Sequence, residues 1–156
     1  MKILDPCAGG DKNHPMSYPT ALDSYVNTNK FPDNVIDTID IRNDSLAEIK
    51  ADYLTYDLSY KLDMIITNPP FGIALDIIRK SLNDVKENGW VIMLLRLNFF
   101  ESKQRKEFFD TYMPRYAFVH HRRMSFTENG VTDSVAYMHC VWQKGNYPEF
   151  CNLKVI

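Results

Sequence analysis

The segment Lys61 to Thr67 carries Leu62, Met64, Ile65 and Ile66 in an apolar run and then stops at Asn68-Pro69-Pro70-Phe71-Gly72. A short apolar run bounded by turn residues is the pattern of a strand covered on both faces, as in the middle of a parallel sheet. Two consecutive prolines cannot donate to a ladder, and each restricts the residue before it, so the strand must end at a rigid corner. Beyond the corner, Leu75, Ile77, Ile78, Leu82 and Val85 recur at helical spacing until Gly89, and Trp90 to Leu95 is a second wholly apolar strand.

The same alternation extends in both directions. Lys2-Ile3-Leu4 is a short buried strand that ends in Asp5-Pro6, followed by the small residues Ala8-Gly9-Gly10 and a polar, proline-punctuated loop from Asp11 to Pro19. Thr20 is positioned to cap a short helix through Ala21, Leu22, Tyr25 and Val26. A strand is expected over Asn34 to Ile41 with Asp40 near its carboxyl end, then a weaker helix from Asp44 to about Ala51. Ser102 to Tyr112 reads as a basic amphipathic helix closed by Pro114; Tyr116 to Arg122 and Ser134 to Trp142 read as two strands joined by a loop containing Asn129-Gly130. Strands alternating with helices and a final strand pair define a mostly parallel α/β sheet with one antiparallel edge hairpin. The length of 156 residues is that of a single domain, 1–156, with no separate target-recognition block.

Composition excludes several classes. No stretch approaches the roughly 20 apolar residues that span a bilayer, and the first residues run directly into a strand, so neither membrane insertion nor secretion is expected and the cytoplasm is the expected location. Three cysteines, Cys7, Cys140 and Cys151, without CxxC spacing argue against a disulfide framework or structural zinc. The net charge is only −2, but its distribution is uneven: residues 1–95 sum to −5 and residues 96–123 to +4. Lys103, Arg105, Lys106, Arg122 and Arg123 belong to that basic stretch and are candidates for nucleic-acid phosphate contact; a solvated helix face is the plainer alternative.

Ligands of open α/β sheets bind at the carboxyl ends of the strands. The unusual residues lie at those ends. Asp5-Pro6-Cys7-Ala8-Gly9-Gly10 lets a ligand approach the backbone closely and presents a carboxylate, yet lacks the GxGxxG and GK[ST] spacings of phosphate-binding loops, so a cationic ligand suits it better than an anionic one. Asp40 has the position from which a carboxylate can take both hydroxyls of a ribose, and Asp57 can accept from an adenine amine; both can equally be solvated acids. At the corner, the Asn68 side-chain oxygen and the Pro69 carbonyl are two acceptors for an exocyclic NH2 group, and Phe71 is a flat face for its ring, against the alternative of a plain turn with a cis proline. Cys7 is expected to pack as a small buried side chain. His14, His120 and His121 could be read as general bases, but phosphate contact or surface placement is the expected role.

DPCAGG after the first strand, an acid after the second, Asp57 after the third region and ITNPPFG after the fourth resemble the class I S-adenosylmethionine-dependent methyltransferases, specifically the adenine-N6 amino-methyltransferases that act on nucleic acid. The resemblance covers about residues 2–145, and RLNFFES, HRRMSF and TDSVAYMHCVWQKG are similar to small methylases carried by bacteriophages. It implies a Rossmann-like, doubly wound, seven-stranded sheet in a three-layer sandwich. It also implies S-adenosylmethionine as cofactor, held by Asp5, Pro6, Cys7, Ala8, Gly9, Asp40, Asp57 and Asn68, with Asn68, Pro69, Pro70 and Phe71 as the catalytic corner, no metal, and DNA as partner. RNA bases or a protein glutamine are alternative substrates, and a non-catalytic binding module is an alternative of another class; a nicotinamide oxidoreductase would leave the Asn-Pro-Pro-Phe corner without a role. In the family a helix often precedes the first strand and closes over the methionine end of the cofactor. By the resemblance, the Asp11 to Pro19 loop, a homo-oligomer or a partner chain has to cover that side here. All of this requires the acidic end of the first strand and the diproline corner to face one crevice.

Overall fold

The computed structural model describes residues 1–29, 35–125, 132 and 134–156. Its elements are β1 (Lys2–Asp5), α1 (Ser17–Asn29), β2 (Val35–Asp40), β3 (Ile49–Lys50), β4 (Leu62–Thr67), α2 (Ala74–Asp84), β5 (Val85–Arg96), α3 (Lys103–Thr111), β6 (Tyr116–Val119), β7 (Tyr137–Gln143) and β8 (Asn152–Val155). They form one sheet in the order β3-β2-β1-β4-β5-β7-β6-β8. The first five strands are parallel, β7 runs antiparallel to both β5 and β6, and β8 returns parallel to β6. Among the described residues the sheet thus has eight strands where seven were expected, because β8 adds itself outside the β6/β7 hairpin. Asn34, the Asn129-Gly130 turn and most of the 125–133 loop lie outside the described residues, as do the side chains of Tyr25 and Val26.

Burial follows the apolar runs. Leu4 of β1, Leu62 and Ile65 of β4, and Val91, Met93 and Leu95 of β5 are buried together with Ile77 and Ile78 of α2. In α2 the buried residues Ala74, Ile77, Ile78, Ser81 and Leu82 repeat at the i, i+3, i+4, i+7, i+8 spacing of a helix with one apolar stripe. Successive strand residues point to opposite faces, so β7 reports both layers. Trp142 meets the Phe108 ring of α3 at 6.4 Å between centroids, and Arg79 of α2 lies over that same ring. His139, three positions away, instead meets Tyr18 of α1. The helix α1 therefore covers one face, and α2 and α3 cover the other.

Two local expectations give way to long-range pairing, and a third shifts by one turn. The helix expected over Asp44 to Ala51 is replaced by turns and β3, because its amides find partners elsewhere: Leu46 N–H donates to Gly9 O, Glu48 N–H to Thr38 Oγ1 and Ala51 N–H to Asp40 O. The helix α2 stops at Asp84 rather than at Gly89, since Val85 pairs with Leu62 while Trp90 pairs with Met64, and the residues between make an excursion in which Asn88 has φ 64°. Gly89 is required there: a Cβ would sit 2.8 Å from Lys86 O. At the other end, α1 starts at Ser17, one turn before Thr20, with Pro19 tolerated in the first turn, where backbone N–H groups have no helical acceptor.

Candidate functional site

The carboxyl ends of β1, β2 and β4 lie side by side, with β1 between the other two. From this arrangement the site is built. Asp5 closes β1 with only 1% of its surface exposed. Thr67, the last residue of β4, is fully buried and donates its hydroxyl to Asp5 Oδ1 across 2.6 Å, and the Cys7 amide donates to the same oxygen. Burial nevertheless dominates and pushes the Asp5 carboxyl up to about 7. Asp40 closes β2; its Oδ2 accepts the Gly9 amide and its Oδ1 the Arg42 amide, each at 2.8 Å. These bonds join the glycine turn to the neighbouring strand end, and Ala8 N–H adds a bond to Ile39 O.

Two adjoining crevices open above these strand ends. The first, of about 580 Å³, is lined by Pro6, Cys7, Gly9, Asp40, Ile41, Asp52, Leu54, the whole Asn68 to Phe71 corner and Ile77, among others. The second, of about 930 Å³, is lined by Asp5, Ala8, Gly10, Tyr18 and Ser125 and by residues of the Asp11 to Pro19 stretch. Cys7, Gly9, Arg42 and Asn68 border both. The acidic end of β1 and the diproline corner thus face a common space, as the sequence reading requires. Gly9 has φ +62°, and a Cβ there would meet nothing nearer than Cys7 O at 4.0 Å, so a side chain would stand in the open crevice. The wall has apolar surfaces for flat rings and carboxylates for hydroxyls and amines, a donor and acceptor set that fits a nucleoside with a cationic tail.

Every residue expected at the site lines one of these crevices except Asp57. Asp57 is exposed, and Asp52 stands at the wall instead. The cause is the turn between them: Asp52 Oδ1 accepts the Leu54 amide, Asp52 O accepts those of Thr55 and Tyr56, and Tyr53 turns inward to donate its hydroxyl to the buried Asp84 at 2.9 Å. At the corner, all peptide bonds are trans, Asn68 is exposed and Pro69 is buried. Phe71 leans on Tyr137 at 5.8 Å between centroids and carries the Arg96 guanidinium 4.6 Å over its ring. The sequence reading missed Thr67, Asp52, Arg96 and Tyr137; each is one polar or aromatic residue inside or beside an apolar run, with no local pattern to single it out.

The remaining candidates fall into place around this core. Burial pushes the Cys7 thiol up to about 12, with Asp5 adding to the shift, so it stays protonated, in keeping with a packing role. His14 pairs with Asp11 at 2.9 Å at the edge of the larger crevice. Arg105 of α3 lies over Phe99 and reaches toward the carbonyls of Asn98 and Glu101, and Lys106 pairs with Asp110 one turn on. Lys103, Arg122 and Arg123 are exposed, the last two within three residues of Ser125 at the crevice wall. Among the described residues no cluster of three or more His, Cys, Asp or Glu side chains could hold a metal, and no helix is long and apolar enough to cross a membrane.

No protein-family model and no curated protein sequence matches the chain. Solved structures do. A protein from Listeria monocytogenes assigned as a class I S-adenosylmethionine-dependent methyltransferase superposes with a TM-score of 0.71 at 14% identity, covering 99% of this chain and 58% of that one. The methyltransferase subunit of a type I restriction-modification system from Streptococcus thermophilus gives 0.73 at 11% identity, over 99% of this chain and 42% of the other. A protein from Vibrio vulnificus assigned as the modification subunit of a type I restriction enzyme gives 0.63 at 12% identity, over 93% and 40%. The chain has the class I methyltransferase fold. It spans about half the length of these methyltransferases, and the crevices described above lie where that fold, as an open α/β sheet, binds its ligands, at the carboxyl ends of the strands.

Proposed function

We propose that this protein transfers a methyl group from S-adenosylmethionine to the exocyclic N6 amine of adenine in DNA. The observation that carries the reading is the continuity of the crevice from Asp5 and Asp40 to the Asn68-Pro69-Pro70-Phe71 corner. Asp5 would hold the cationic amine of the cofactor, Asp40 its ribose hydroxyls, and Asp52 rather than Asp57 its adenine amine, with Pro6, Cys7, Ala8 and Gly9 forming the floor. When bound, the cofactor supplies an electrophilic methyl group on sulfur.

An aromatic amine is a poor nucleophile because its lone pair is delocalised into the ring. The Asn68 side-chain oxygen and the Pro69 carbonyl accept its two protons, favour a more tetrahedral nitrogen and stabilise the positive charge that develops on it, while the fixed corner supplies alignment. Phe71 stacks on the extruded base and offsets part of the few kcal/mol that flipping it from a duplex costs. DNA is the favoured polymer because two of the matched structures carry restriction-modification names.

The test is incubation with unmethylated DNA and isotopically labelled cofactor, followed by mass spectrometry of the digested nucleosides. N6-methyladenine is the expected product. Asn68→Ala should lower its formation by about 10²–10³-fold, the loss typical of one oxyanion-hole-type group, with the fold unchanged because Asn68 is exposed. Label appearing only in RNA or in protein would reassign the substrate, and a fully active Asn68→Ala variant would remove the amine-holding role.

A further inference from the structure

One partly buried polar chain has no part in the machinery described so far. Tyr18 of α1 lines the larger crevice together with Asp5 and Asn68. Its hydroxyl lies 2.9 Å from Nε2 of His139 on β7, and Nδ1 of His139 lies 2.8 Å from Nε2 of His120, just beyond β6. His120 is partly exposed and is followed by the exposed His121. We propose that Tyr18, His139 and His120 form a proton relay that carries the proton lost by the target amine from the crevice to solvent. The proposal rests on the methyl-transfer reading given above.

The two contacts allow one of two directions, and the histidine tautomers set which. Two imidazole nitrogens 2.8 Å apart bond only if one carries a proton and the other does not. If Tyr18 donates to His139 Nε2, then His139 carries its proton on Nδ1 and donates to His120 Nε2, which leaves the His120 proton on Nδ1. The Tyr18 and His139 donors then point away from the crevice, toward the partly exposed His120. A tyrosine needing only to be satisfied would require the first of these bonds; the second histidine extends the chain outward.

The step balances as follows. The amine lone pair forms the new N–C bond, the electron pair of the broken S–C bond stays on sulfur, and the nitrogen is left with one proton too many. That proton passes to Tyr18 Oη as the hydroxyl proton moves to His139 Nε2, the His139 Nδ1 proton moves to His120 Nε2, and the His120 Nδ1 proton goes to water. The chain is left reversed and resets by exchange with solvent. A methylated aromatic ammonium is a strong acid, so the chain needs no strong base, only neutral groups in line. Burial, aided by His120, holds His139 down to about 4; burial and the charge of His121 hold His120 below the usual histidine range; burial and the facing Asp5 hold Tyr18 protonated.

The test has one readout on the protein alone and one on turnover. Imidazole ¹⁵N NMR of the full chain should show His139 neutral at about pH 7 with its proton on Nδ1; a proton on Nε2 would point the chain inward and overturn the relay. In single-turnover methylation of DNA, Tyr18→Phe and His139→Gln should each slow the step by about tenfold, with the KM for DNA unchanged. The wild-type rate should fall on the acid side as the histidines charge, and both variants should lose that limb. Should either variant fail to fold, His120→Gln at the partly exposed outer end carries the same expectation. Active wild type with variants of unchanged rate and pH profile overturns the relay alone. Wild type that methylates no adenine refutes the methyl-transfer reading, and the relay with it.

Discussion

Thr67 Oγ1 donates to Asp5 Oδ1 across 2.6 Å, and this bond ties the carboxyl end of β4 to that of β1 beneath the crevice. It lowers the proton affinity of Asp5, but burial raises it more, from 3.8 to about 7. The folded state therefore binds this proton more tightly than the unfolded state does. The stability contributed is present at low pH and is lost as pH rises through about 7. Asp5→Asn should remove that slope and make the ligand-free protein more stable at about pH 8, by on the order of 2–4 kcal/mol. Thermal melts of both proteins from about pH 5 to 8 check this; parallel curves would contradict it.

A ligand with a cationic group beside Asp5 would draw the carboxyl pKa back down. Binding of S-adenosylmethionine between the ordinary and the raised value, at about pH 6, should release close to one proton. Calorimetry in two buffers of different ionisation enthalpy measures it. The release should vanish in Asp5→Asn, along with much of the affinity.

Asp40 takes the Gly9 and Arg42 amides on separate oxygens, so its removal leaves two donors without partners. Asp40→Ala should cost about 2–4 kcal/mol, and Asp40→Asn less, since one amide oxygen remains as an acceptor. Urea denaturation gives the difference. A loss below 1 kcal/mol for Asp40→Ala, on the order of a single ordinary hydrogen bond, would mean that the turn is held by other bonds.

Tyr53 anchors the wall of the smaller crevice through Asp84, a buried acid at the carboxyl end of α2, where the helix dipole disfavours negative charge. Lys80 compensates at 3.0 Å. Tyr53→Phe should destabilise the fold by about 1–2 kcal/mol in a denaturant titration, because it strips one donor from a buried carboxylate.

The basic residues divide by what they touch. Arg105 holds the turn at Asn98 to Glu101, so Arg105→Ala should reduce stability by about 1 kcal/mol and leave the salt dependence of DNA binding unchanged. Replacing Arg122 and Arg123 together with alanine should leave stability alone and reduce the slope of log affinity against log salt by about 2. Filter binding at several salt concentrations separates the two.

Much of this molecule is legible in its sequence because the relevant signals are local. Apolar runs mark β1, β4 and β5, the spacing of Leu75, Ile77, Ile78 and Leu82 marks the apolar stripe of α2, and prolines and glycines restrict or free their own backbone wherever they stand. The corner at Asn68 and the turn at Gly9 could be read in that way. What the tertiary structure decided are the partnerships across it. Thr67 and Asp5 are 62 positions apart, Gly9 and Asp40 are 31, and Tyr18 and His139 are 121. Only parallel strand pairing and the layering of α1 on the sheet bring them together. Where local preference and a distant partner competed, as over Asp44 to Ala51 and again at Asp52 and Asp57, the distant partner won: a backbone donor or a tyrosine hydroxyl that leaves water must bond to something, and its acceptor lay on another element.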